Sequence, residues 1–271
     1  MLLEKKYKKL QSILTEMETI VIAFSGGVDS TFLLKAALDT LGPEKVLAVI
    51  ADSETYPFEE LEEAQRLARL LGARHEVIHT SELAIPGYAE NTPNRCYFCK
   101  KSLFEHILPI MKEQNYKNIA FGLIADDMGD HRPGIKAARE YNVRGPLQEA
   151  DLYKEEIREL SQEFGLPTWN KPSFACLSSR IAYGEQITIE KLTRIDQSEQ
   201  AIRKLGIRQV RVRTHGEIAR IEVELQDMPV LLEHHGHITA KLRELGYMYV
   251  TLDLAGYKSG SMNKVLAKSE K

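Results

Sequence analysis

Cysteine is scarce in this sequence: three residues in 271, an odd number that excludes a closed disulfide framework and points to thiol or metal chemistry in a reducing compartment. An excess of charge of one sign is also lacking. With 36 Lys and Arg against 39 Asp and Glu, the formal net charge is −3, so the global positive field of a nucleic-acid binder is absent. No apolar run approaches the roughly 18 residues of a membrane span. The opening Met1-Leu2-Leu3-Glu4-Lys5-Lys6 reads as a charged helix start rather than a signal-peptide core, so a cytoplasmic location and no membrane partner are expected. Internal repeats and low-complexity stretches are missing too. What is present is an apolar content of 43%, enough to fill the cores of one large domain and a smaller one.

Within that ordinary composition one hexapeptide stands out, Ser25-Gly26-Gly27-Val28-Asp29-Ser30, directly after the apolar run Thr19-Ile20-Val21-Ile22-Ala23-Phe24. A strand feeding a glycine turn that opens a helix aims several backbone N–H groups at one point, where a phosphate can sit. The glycines permit tight curvature and close approach, and Ser25 and Ser30 add hydroxyl donors. Asp29 makes sense beside an anion if it meets Mg²⁺ or fixes the loop. A Walker loop would need a Lys that is absent here, and a dinucleotide fingerprint would need a third glycine. The spelling resembles instead the PP-loop of the N-type ATP pyrophosphatases, which cleave ATP between its α and β phosphates and transfer AMP to a substrate oxygen.

Strand candidates at 20–24, 46–51, 75–79 and 118–121 alternate with helix-period stretches such as 31–41 and 57–71. That rhythm predicts an α/β fold, a parallel sheet with helices on both faces over residues 1–170, its ligands beyond the carboxyl ends of the strands. Three segments fall at such ends. They nominate an ATP site of Ala23, Phe24, Ser25, Gly26, Gly27, Asp29 and Ser30, then Ala51 and Ser53, then Gly122, Asp126 and Asp127, with a solvated acidic loop as the other reading of the last pair. An interdomain loop at 171–187 carries Cys176. Beyond it a small α+β domain at 188–271, for substrate binding or oligomerisation, is expected: helix 188–205, strands 208–213 and 218–224 around a turn at His215-Gly216, helix 228–245 and strand 247–254. The polar tail 259–271 reads as partly disordered.

Cys96-Tyr97-Phe98-Cys99 opens a helix expected over 97–111, with Lys100 and Lys101 beside it, a setting that favours thiolates. If the loop of Cys176 folds over the same sheet edge, three thiolates converge. Four readings stay open: inert core thiols, a zinc site recruiting His79, His106 or His131, a redox dithiol, or an iron–sulfur cluster with one open iron. His215, Glu217 and the group His234, His235 and His237 are further metal candidates, or simply surface residues.

Taken together, S-G-G-V-D-S, Asp130-His131-Arg132-Pro133-Gly134, Trp169-Asn170-Lys171, Ala175-Cys176-Leu177-Ser178-Ser179-Arg180 and Val210-Arg211-Val212-Arg213 resemble the LarE family along nearly the whole chain. That resemblance implies an ATP-dependent sulfur transferase, which adenylates a carboxylate of pyridinium-3,5-biscarboxylic acid mononucleotide and replaces the activated oxygen by sulfur. It also implies ATP and Mg²⁺, for which Asp29 or the acidic pair Asp126 and Asp127 are the candidate ligands, and a homo-oligomer, the hexamer being the form known for the family. In members with only the loop cysteine, that residue surrenders its own sulfur. Here Cys96, Cys99 and Cys176 point to a [4Fe-4S] cluster as the alternative, with sulfide or another sulfur donor as a partner.

On a strand, Arg211 and Arg213 face one way and Val210 and Val212 the other, so two guanidinium groups, joined by Arg180, can clamp the phosphate of a small mononucleotide. The competing account makes them exposed arginines paired with Glu222 or Glu224. Two other functions stay open: a tRNA thiolation enzyme with the same chemistry, and a non-catalytic ATP-binding iron sensor.

Overall fold

Residues 2–129, 133–258 and 260–262 are described by the structure, a computed structural model. By its internal contacts the chain divides into two units: Met1–Glu82 with Cys96–Lys171, and Leu83–Arg95 with Pro172–Lys271. Residues 83–95 thus belong with the second unit although they interrupt the sequence of the first. The segment 172–187, read from the sequence as a linker, is likewise part of the second unit.

The first unit is built on a four-stranded, all-parallel sheet of β1 (Ile20–Ala23), β2 (Val46–Asp52), β3 (Arg74–His79) and β4 (Asn118–Phe121), in the order β3-β2-β1-β4. The central strand β1 and the first six residues of β2 are apolar because both faces are covered there, whereas the edge strand β3 is polar and only half-buried. Ile20 and Ile22 of β1, with Val46, Ala48 and Ile50 of β2, enter one core with α1 (Leu2–Met17) and α2 (Val28–Leu41). The alternate residues Val21, Leu47 and Val49 enter another with Phe104 and Ile107 of α4 (Arg95–Glu113). In α1 the buried residues Leu10, Ile13, Leu14 and Met17 form one stripe at helical spacing. The remaining helices are α3 (Phe58–Leu70), α5 (Pro133–Glu140), α6 (Pro146–Glu149) and α7 (Lys154–Glu163). The chain winds outward from β1 to β3 and then returns to the other side of β1, so the switch point lies between β1 and β4. In open α/β sheets that crevice is the ligand position.

The second unit carries α8 (Ile189–Arg203), β5 (Val210–His215), β6 (Ile218–Val223), α9 (Met228–Glu233), α10 (His235–Glu244) and β7 (Tyr249–Leu252). β6 pairs antiparallel with β5 and parallel with β7. The Thr188 hydroxyl caps α8 by accepting from Lys191 N at 3.2 Å. Val210 and Val212 enter its core with Ile238 and Leu242 of α10, which puts Arg211 and Arg213 on the opposite face. The single helix expected over 228–245 is two helices, divided at His234, where the run His234-His235-Gly236-His237 is poor in strong helix formers. Most of the tail at 259–271, Ser259 and residues 263–271, lies outside the described residues.

Candidate active site

At the end of β1, Phe24 N donates to Val49 O at 2.8 Å, and the chain then turns into α2 through Ser25, Gly26 and Gly27. Gly26 has φ +62°, and a Cβ there would stand 3.0 Å from Ala64 Cα in α3. Only glycine satisfies both conditions at once. Gly27 is the N-cap, and the first helical bond runs from Thr31 N to Gly27 O at 3.0 Å. The amides of Val28, Asp29 and Ser30 are therefore first-turn donors of the kind that suits an anion. Ser30 Oγ donates to Gly27 O at 3.2 Å, while the Ser25 and Ser30 hydroxyls lie 3.2 Å apart. Across the switch point, a Cβ on Gly122 would come 3.0 Å from Ser30 N and 3.2 Å from Asp29 Cβ. The missing side chain at Gly122 lets the end of β4 approach the first turn of α2.

Three groups that sequence reading did not nominate flank this loop. Lys154 Nζ lies 2.7 Å from both oxygens of Asp29, so the carboxylate expected to meet Mg²⁺ is engaged by an ammonium. Lys171 Nζ donates to Gly26 O at 3.2 Å and to Glu60 at 2.7 Å. Tyr56 OH donates to Ser25 O at 2.5 Å, and burial pushes its phenol pKa upward. Lys171 at least stood within the Trp169-Asn170-Lys171 triplet. Nothing in the sequence linked Lys154 to a residue 125 positions earlier. Ser53, expected at the nucleotide, lies 3.1 Å from the Thr55 hydroxyl. Of the acidic pair, Asp126 accepts from Lys154 N at 2.8 Å and is exposed, whereas Asp127 is buried and its Oδ2 accepts from Ile124 N at 3.1 Å.

Cys96 is exposed and Cys99 half-buried, one turn apart at the start of α4, and Cys176 is half-buried in the second unit. Cys99 Sγ lies 4.0 Å from Oε1 of the buried Glu82, whose oxygens also accept from Thr55 and Thr80 at 3.3 Å. No group of three or more His, Cys, Asp and Glu side chains is arranged to hold a metal ion among the described residues. His131, with Asp130 and Arg132, lies outside them. His215 is pushed down by burial and by Arg220, whose Nε donates to its Nε2 at 3.3 Å. His234, His235 and His237 are exposed.

The three arginines are buried, which neither account of them from the sequence anticipated. Arg180 is fully enclosed; Nε and Nη2 bond Glu199 at 2.9 and 3.1 Å, and Nη1 takes the carbonyls of Ala175 and Cys176, the latter at 2.9 Å. Arg213 pairs with the buried Glu222 at 2.8 Å. Burial raises the Glu199 carboxyl, but Arg180, Arg211 and Arg203 outweigh it and hold the pKa below 4.5. Arg211 donates to the carbonyls of Val210 and Ser173 and stacks near Tyr257. Its burial, and then the charge of Arg180, push it down to about 10, so it gains from any anion brought to it.

A parallel sheet with a glycine-shaped loop at the switch point agrees with the fold of the PP-loop ATP pyrophosphatases. The profile of the NAD synthase family matches residues 3–92. An uncharacterized Synechocystis protein is 44% identical over 98% of this chain and 100% of its own. The pyridinium-3,5-bisthiocarboxylic acid mononucleotide synthase of Lactiplantibacillus plantarum is 39% identical over 99% of this chain and 97% of its own. A glutamine-hydrolyzing GMP synthase component from Sulfurisphaera tokodaii is 28% identical over 64% of this chain and 50% of its own. The chain belongs to the family of the L. plantarum synthase, LarE, and is an ATP-dependent sulfur transferase.

Proposed function

We propose that this enzyme adenylates a carboxylate of pyridinium-3,5-biscarboxylic acid mononucleotide and then exchanges the activated oxygen for sulfur. Two cycles yield the bisthiocarboxylate that later binds nickel. The observation that carries this reading is the loop at Gly26–Ser30, flanked by Lys154 and Lys171, in a chain that also carries three cysteines outside any disulfide. Support for the substrate comes from the relative's name and its near-complete coverage.

A carboxylate oxygen is a poor leaving group, and joining it to AMP changes that. The substrate oxygen attacks the α-phosphorus of ATP, and the bond to the β-phosphate oxygen breaks with its electron pair leaving on pyrophosphate. The first-turn amides of α2 hold that leaving group. Lys154 exchanges Asp29 for the polyphosphate, which frees the carboxylate. Asp29 and Asp126 are hard oxygen donors of the kind Mg²⁺ takes. Hydrosulfide then attacks the acyl carbon, and AMP departs with the C–O electron pair, leaving thiocarboxylate and a proton. Arg211, with Arg213 and Arg180 behind it, receives the phosphate of the mononucleotide.

Cys96, Cys99 and Cys176 would hold a [4Fe-4S] cluster, which supplies an open iron for exogenous sulfide. The donors fit in kind: three thiols outside any disulfide, Cys96 and Cys99 one turn apart at the start of α4. The chain works in the cytoplasm, as a homo-oligomer. Purified protein with ATP, Mg²⁺ and the dicarboxylate mononucleotide should release pyrophosphate and form thiolated product, and anaerobic reconstitution should load iron and sulfide into wild type but far less into Cys99→Ala. Mass spectrometry should then find Cys176 intact; a loss of about 34 Da there would replace the cluster by sacrifice of the residue's own sulfur.

A further inference from the structure

Residues 88–95 form a splint against the loop that carries Cys176, wholly within the second unit. Asn91 is fully buried; its Nδ2 donates to the carbonyls of Ile181 and Ala182, at 3.2 and 2.7 Å, and its Oδ1 accepts from Arg95. Arg95, 5% exposed, also donates to Ser178 O at 3.0 Å and stacks its guanidinium 5.4 Å from the Tyr183 ring centroid. Tyr88 OH donates to Ser178 Oγ at 2.9 Å, and Ile187 N reaches back to Ala89 O at 2.8 Å. With Gly184 N donating to Asn91 O at 3.3 Å, residues 178–187 are bonded at six carbonyl, hydroxyl and amide groups to one short segment. Ser178 lies two residues beyond Cys176 and opens onto the same short helical turn, Leu177–Arg180. Burial this deep is costly for Arg and Asn unless they are hydrogen-bonded, and here those bonds go to the backbone of residues 178–182.

We infer that Arg95 and Asn91 are positioning residues for sulfur transfer: they fix the backbone of the Cys176 turn, and take no part in adenylation. The inference rests on the reading of Cys176 as a sulfur-transfer residue. Because the ATP loop belongs to the other unit, the two half-reactions separate the effect. At saturating mononucleotide, which offsets any weaker hold on substrate through Arg180 of the same turn, full-length Arg95→Leu should release pyrophosphate at a rate within about twofold of wild type, with KM for ATP unchanged, while thiolated product falls about tenfold or more. Arg95→Lys, which keeps a donor toward Ser178 O, should recover part of the product yield. Amide exchange over residues 178–187, measured without turnover, should speed up about tenfold while residues 20–50 exchange as before.

An equal loss of pyrophosphate and product, or unchanged exchange over 178–187, would overturn the inference. Exchange judges the splint even if wild type makes no thiolated product, an outcome that would count against the reaction instead. Should Arg95→Leu not fold, Asn91→Ser carries the same comparison through the Ile181 and Ala182 carbonyls.

Discussion

Replacing Gly26 by alanine tests whether the loop is shaped by close approach or merely by a left-handed residue. At φ +62°, an added Cβ meets Ala64 Cα at 3.0 Å and Ala64 Cβ at 3.1 Å. Carbon atoms rest at about 3.5–4.0 Å, so the loop or α3 must yield by about 0.5 Å or more. Left-handed strain for an L-residue costs about 1–2 kcal/mol. Overpacking adds about 1–3 kcal/mol, for a total of about 2–5 kcal/mol. Gly72 supplies the control: it has φ +72° and no heavy atom within 4 Å of its added Cβ, so Gly72→Ala bears the strain alone. The difference between the variants is the contact. At an m-value of about 2 kcal/mol/M, it lowers the urea midpoint of Gly26→Ala below that of Gly72→Ala by about 0.5–1.5 M. A cradle displaced by half an ångström should slow pyrophosphate release about 10- to 100-fold, whereas Gly72→Ala stays within about twofold of wild type. Equal midpoints and equal rates for the two variants would refute the close approach of α3 to the loop.

Lys154→Met keeps the side-chain stem and removes the ammonium 2.7 Å from Asp29, so KM for ATP should rise about tenfold, about 1.4 kcal/mol, in steady-state kinetics. A variant with unchanged KM would remove Lys154 from the nucleotide site. Glu199→Gln leaves the fully buried Arg180 without its anion and should cost about 3–5 kcal/mol at pH 7 in denaturant unfolding. Because the folded pKa of Glu199 lies below 4.5, its stabilisation is complete above pH 4.5 and lost as pH falls through the folded value. The gap between wild type and Glu199→Gln should therefore close in acid; a gap that is constant from about pH 7 to about pH 3 would contradict the assignment.

The sheet was legible because both its faces are buried: strands such as Val46–Asp52 are apolar runs, and their ends fall within one or two residues of where the sequence puts them. The alternation at Val210-Arg211-Val212-Arg213 was equally legible, since it depends only on the period of a strand. Burial of those arginines was not. Glu222 on the neighbouring strand was named as a partner, but Glu199 on α8, which encloses Arg180, is set by tertiary packing rather than by local pattern. The same holds for Lys154, which meets Asp29 across 125 residues. Local spacing also gives no hint that residues 83–95 leave the unit that surrounds them in sequence, because Asn91 and Arg95 find their acceptors some 83 to 91 positions later.

That excursion sets an order of events during synthesis. At about 5–20 residues per second, the ribosome adds residues 96–187 in about 5–20 s after it has incorporated Arg95. Through that interval Tyr88, Asn91 and Arg95 have been made while their acceptors at 178–187 have not. The nascent chain must carry this segment bonded to water, and the second unit can close only when residues 178–187 arrive. A circular permutant that begins at Pro172 would reverse the order, presenting the acceptors first.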